Sequence, residues 1–156
     1  MMGDPFDPNR SLSPHFTLTE FTKSETATRH GIDNTPPGSA VDSLSVLCER
    51  VLEPVRAALG PVRVNSGFRC LALNRLVKGS DTSQHLRGEA ADIEVVGLAN
   101  EELGAWIEKN LIEWDQLIYE FTDPPRAPNV AKDPHAGWIH VSITTGRNRR
   151  MVLRKG

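Results

Sequence analysis

Residues 82–94 read TSQHLRGEAADIE, a run that holds a histidine, a glycine, small residues and an aspartate. Its second half, from Glu89, alternates in the manner of a strand. Ala91, Ile93 and Val95 lie on one face, and Ala90, Asp92 and Glu94 on the other. A second strand, WIHVSI at 138–143, puts Ile139, Val141 and Ile143 on its apolar face and leaves Trp138, His140 and Ser142 opposite. Asp92 and His140 can therefore share one face of a sheet. His85 precedes the first strand by a few residues, and Gly88 lets the backbone turn between them without a side-chain clash. Two imidazoles and a carboxylate are the nitrogen and oxygen donors of a catalytic zinc site that keeps a fourth position open. Spacing alone does not show that the two strands adjoin, so a polar loop leading into a buried strand remains the other reading.

The rest of the chain limits what such a site can serve. The 156 residues fit one domain, 1–156, with an extended lead over 1–14 and enough chain to bury a core. Hydrophobic residues make up 38% but are dispersed, and no run approaches the roughly 18 to 20 apolar residues of a membrane span. The start, MMGDPFDPNRSLSPHF, has neither a cationic n-region nor an apolar h-region, which predicts synthesis in a cytoplasm without a secretory signal. Cys48 and Cys70 are the only cysteines, far apart, and read as small buried residues rather than as a disulfide or a thiolate metal site. A net charge of −2 supplies no basic field for nucleic acid. The basic run RNRRMVLRK at 147–155 reads as a solvated final hairpin.

Periodicity places the other elements. Thr17 and Glu20 stand in capping-box spacing ahead of a helix over Leu18–His30, which stops at Gly31. From Ser39, apolar residues recur at three and four through Leu59, the longest helix, with Pro54 as a kink. VRVNSGF is a short strand running into a turn, LALNRLVKGS a short helix, NEELGAWIEKNL an amphipathic helix and QLIYEF a strand. Helices first and a mostly antiparallel sheet later make an α+β domain.

Ser83, His85, Gly88, Ala90 and Asp92 spell Ser-x-His-x-x-Gly-x-Ala-x-Asp. Together with WIHVS, this pattern resembles the zinc D-Ala-D-Ala carboxypeptidase family, which includes phage L-alanyl-D-glutamate endopeptidases and shares its core with the hedgehog signalling domain. HFTLTEFTKSETATRHGIDNTPP, NSGFRCLALNRLVKGSDTSQHLRGEAADIE, QLIYEF and WIHVS resemble segments of its carboxypeptidase-like branch, in order, over roughly residues 15–145. The resemblance implies a small, mostly antiparallel sheet that carries one zinc ion and is flanked by helices. It implies His85, Asp92 and His140 as the zinc ligands, and Arg69, in SGFR, as the residue that holds the scissile carbonyl or its oxyanion. Guanidinium suits that task because it stays charged and offers several rigid donors. Ser83 and Gln84 fall on the substrate side, with bracing of the loop as the other role for Ser83. Gly67 and Gly88 read as backbone requirements.

One departure concerns the general base. Several members of the family carry a glutamate three residues before the last histidine, and others a histidine two residues before it. Here those positions are Gly137 and Trp138. Glu120 is the expected base, because a carboxylate within the apolar strand QLIYEF is costly to bury without a partner or a task. His135 is the second choice, and a site that binds zinc without hydrolysis is the third.

The expected function is hydrolysis of peptidoglycan stem peptides, at D-Ala-D-Ala or L-Ala-D-Glu bonds. The resemblance places such a protein at the cell wall, in phage lysis or as a subunit associated with phage tail or baseplate proteins. The contrasting expectation is an inactive zinc-binding structural or binding domain of a virion or wall assembly.

Overall fold

In the computed structural model, residues 7–124 and 133–156 are described. The chain opens with a two-stranded antiparallel ribbon, β1 (Ser11–Ser13) and β2 (Phe16–Thr17), which leads directly into α1 (Leu18–Thr22). The capping residues act as the spacing predicts, with Thr17 N–H donating to Glu20 Oε2 at 2.7 Å. The single helix expected over Leu18–His30 is two. Lys23 turns extended and Ser24 caps a second short helix, α2 (Glu25–Arg29), by accepting from Ala27 N–H at 3.1 Å. A serine that can cap competes with helix continuation, and here capping wins.

The long apolar stripe is realised as α3 (Gly38–Leu47), a π turn over Cys48–Leu52, and α4 (Glu53–Leu59). Val41, Leu44, Leu47, Val51, Leu52 and Val55 are all buried along it. The expected kink at Pro54 takes a specific form. Proline has no N–H to give the preceding turn, and the turn before it widens so that Glu53 N–H donates to Cys48 O instead.

Five strands form the main sheet in the order β3 (Val62–Ser66), β4 (Ala90–Val95), β6 (Trp138–Ser142), β5 (Gln116–Glu120) and β7 (Met151–Lys155). The pairs β3·β4, β4·β6 and β5·β6 are antiparallel. Ala91, Ile93, Leu117, Tyr119, Ile139 and Val141 point from the sheet into the core, where α3, α4 and α6 (Asn100–Asn110) cover them. Two further pieces lie beside the sheet, α5 (Leu71–Leu76) and a 3₁₀ turn over Gln84–Arg87. No helix among the described residues is long and apolar enough to cross a membrane.

The C-terminal run corrects the expectation of a final hairpin. β7 does not fold back on β6; it lies along the far edge of β5, parallel to it. Two ion pairs fix this course. Arg149 grips the buried carboxylate of Asp115 through two nitrogens at 3.0 and 2.7 Å, and Arg154 holds Glu101 at 2.8 and 3.0 Å. Arg154 also stacks over Tyr119, 4.2 Å from the ring centroid. Both cysteines are free, Cys48 fully buried and Cys70 partly so.

Candidate metal centre

Register decides the site. On the face opposite the core, Asp92 of β4 stands directly across from His140 of β6, and His140 stands across from Ile118 of β5. His140 Nδ1 lies 3.1 Å from Asp92 Oδ1. The third member comes from the 3₁₀ turn, whose His85 Nε2 lies 3.3 Å from the same Asp92 oxygen. The two imidazoles meet edge to face, 5.1 Å between centroids. One candidate ligand atom from each residue falls within 4.8 Å of the others, and all three residues are buried.

The turn holding His85 is built for this. Ser83 caps it, accepting from His85 N–H at 3.2 Å. Gly88 ends it in the left-handed region, at φ 72°, where a β-carbon would come within 2.4 Å of Ala40 O. Only glycine satisfies both conditions. His85 Nδ1 lies 2.6 Å from Gly67 O. A carbonyl can only accept, so Nδ1 donates to it and Nε2 is the ring nitrogen turned towards Asp92.

These observations fit a zinc ion. His85 Nε2, His140 Nδ1 and Asp92 Oδ1 converge, two nitrogen donors and one oxygen donor of the kinds zinc takes. Ligand atoms bonded at ~2.0–2.1 Å in a tetrahedron stand about 3.3 Å apart, close to the separations seen here. The hydrogen bond that His85 Nδ1 donates to Gly67 O orients the ring in the manner of an outer-shell partner. Burial disfavours charge on Asp92, but His85 and His140 outweigh it and hold the carboxyl well below the usual range, so it is an anion ready to ligate.

The cluster forms the floor of a cleft of about 750 Å³ whose walls include Arg69, Ser83, Gln84, Glu120 and Trp138. Four contacts fix the backbone around Arg69. Phe68 N–H donates to Phe21 O at 2.7 Å, Arg69 N–H to His85 O at 3.0 Å, and Cys70 N–H to Asn34 Oδ1 at 2.8 Å, while Asn34 Nδ2 donates to Phe68 O at 3.0 Å. The guanidinium reaches Ser83 Oγ at 3.5 Å, and its buried Nε has no partner. Burial pushes it below its ordinary pKa, against the pull of Asp92 and Glu120. It is a charged donor with capacity to spare at the cleft wall.

Glu120 lies on the cleft face, as strand alternation predicts, opposite Trp138. Trp138 Nε1 donates to its Oε2 at 2.5 Å, and Lys155 Nζ stands 3.6 Å from its Oε1. His135 is exposed and does not line the cleft. Ser83 braces the loop and lines the cleft as well. Gln84 is buried, and its Oε1 lacks a partner.

The family model described as Peptidase M15 matches residues 14–123. The chain belongs to the peptidase M15 family. Membership in the M15 family, the zinc D-Ala-D-Ala carboxypeptidase-like peptidases, implies a zinc metallopeptidase acting on peptidoglycan-like substrates. No curated protein matches the chain closely enough to add to this. The M15 match ends before His140, so it is the β4·β6 register that brings the last histidine to the other two.

Gly137 explains this chain's departure from the glutamate-bearing M15 pattern. Its φ is 68°, and a β-carbon there would meet Glu120 O at 2.0 Å. No side chain fits, and the nearby carboxylate of the cleft is supplied by β5. Sequence reasoning missed three contributors: Asn34 and the Gly67 carbonyl, which hold Arg69 and His85, and Trp138 as a partner of Glu120. Only the last had a signal, since alternation in WIHVSI puts Trp138 and His140 on one face.

Proposed function

We propose that the protein hydrolyses peptide bonds in peptidoglycan stem peptides, with zinc held by His85, Asp92 and His140. The observation that carries this reading is the convergence of that cluster, an under-bonded guanidinium and a strand carboxylate on one cleft. A zinc ion bound there supplies Lewis acidity, polarising a carbonyl and making water acidic near neutral pH. Glu120 accepts the proton of the attacking water and returns it to the leaving amine. Trp138 holds one oxygen of Glu120 in place, which leaves the other, near Lys155, to exchange protons. Arg69 donates to the carbonyl oxygen as negative charge develops there, and Ser83 and Gln84 contact the peptide flanking the bond. The setting we propose is wall degradation in phage lysis or at a phage tail or baseplate. Sequence resemblance alone supports it.

The test combines zinc analysis with mass spectrometry of a purified peptidoglycan digest, which also reports whether D-Ala-D-Ala or L-Ala-D-Glu is cut. Glu120→Gln is expected to keep its zinc and lose about 100-fold or more in turnover, the usual scale of general-base catalysis. His135→Ala is expected to cost little. Full zinc without any released peptide would leave a binding domain rather than an enzyme.

A further inference from the structure

A second groove, about 1040 Å³, runs between α2 and β3 and meets the metal cleft at Arg69 and Val77, which line both. Its cations are Lys23, Arg29, Arg63 and Arg69, against a single carboxylate, Glu25. Arg63 reaches Glu94 only at 4.0 Å. Among the described residues, no carboxylate lies within ion-pair distance of Lys23 or Arg29, and both are exposed. The excess is local, because the whole chain carries a net charge of −2. Ser24, Thr26 and Asn65 add hydrogen-bonding groups along the walls, and Phe68 and Leu73 lie at the floor. A channel that is polar, cationic, partly apolar underneath and continuous with a reactive centre matches an extended acidic peptide.

We propose that the α2–β3 groove binds the continuation of the peptide substrate beyond Arg69, recognising its free carboxylates through Lys23 and Arg29. The inference rests on the peptidase reading and deepens it. The bound chain passes Arg69 instead of ending there, so the enzyme selects an extended acidic peptide over a short terminal dipeptide. A γ-linked glutamate, whose α-carboxylate stays free, is the kind of residue that would pair there.

The test uses the zinc-loaded full chain and two probes, the peptide L-Ala-γ-D-Glu-L-Lys-D-Ala and its counterpart with every carboxylate amidated. Backbone amide shifts are followed during titration, and mass spectrometry of the same samples reports cleavage. With the acidic peptide, shifts are expected in residues 23–29 and 63–66 as well as around the metal cluster. The double variant Lys23→Glu/Arg29→Glu is expected to weaken binding of the acidic peptide about ten-fold and of the amidated one less than about two-fold. Shifts confined to the metal cluster, no shifts at all, or equal weakening for both peptides would overturn the proposal. If the variant failed to fold, the wild-type shift map would still decide. Groove shifts without cleavage would sustain the groove and count against hydrolysis, whereas cleavage without groove shifts would do the reverse.

Discussion

Trp138 and Glu120 face each other across β6 and β5, and the indole N–H donates to Glu120 Oε2 at 2.5 Å. The strand pair thus fixes a carboxylate on the same face as His140, two residues along β6 from Trp138. Trp138→Phe keeps the ring and removes the donor. Loss of one hydrogen bond to a charged acceptor, about 1.5–3 kcal/mol, sets the expected fall in kcat at roughly ten-fold or more. KM and zinc content should change little. A fall in zinc, or a change confined to KM, would show that Trp138 serves packing or substrate contact instead.

His85→Ala and Asp92→Ala each remove one of the three proposed zinc ligands, which come from separate segments. Both are expected to lose most bound zinc. A metal bound by the folded state alone stabilises it, by about 2.7 kcal/mol at a hundred-fold excess over Kd. Adding zinc should therefore raise the melting temperature of the metal-free wild type and leave these variants almost unmoved. Near-stoichiometric zinc in both would refute the ligand assignment.

Arg69→Lys retains charge and loses the planar fork. Turnover is expected to fall by roughly ten-fold to a thousand-fold with zinc unchanged. The surrounding backbone is held by Asn34, Phe21 and His85 whatever the side chain, so stability should hold as well. An unaffected rate would make Arg69 a structural residue.

Gly137→Ala forces a β-carbon to within 2.0 Å of Glu120 O at a backbone φ of 68°. Left-handed strain and the displacement of β5 together should cost about 2–4 kcal/mol, read as a melting temperature lower by at least about 5 °C. Gly137→Glu, which restores the glutamate seen elsewhere in the family, should be destabilised at least as much and gain no activity. A stable, more active Gly137→Glu protein would contradict the packing seen around this turn.

Much of this could be read from the chain alone. Two-residue alternation assigned Asp92 and His140 to the polar face of their strands, because side chains on a strand must alternate. The three-and-four spacing from Val41 to Val55 marked the helix that covers the sheet, and the motif around His85 and Asp92 pointed to zinc chemistry. Other features depended on neighbours distant in sequence. The split after Thr22 turned on a local contest between helix continuation and capping by Ser24. The parallel placement of β7 followed from Asp115 and Glu101, whose pairing with Arg149 and Arg154 has no periodic signature.

By itself, then, the sequence determined the class of fold, the faces of the strands and the chemical character of the donors, all properties of local spacing and residue type. Only the tertiary structure decided that β4 and β6 are neighbours in a register that sets Asp92 against His140, that Gly67 O orients His85, and that Glu120 rather than His135 reaches the cleft. Those relations join residues as far apart as 48 positions. Strand order and register are set by the packing of the whole core, which no short window of sequence contains.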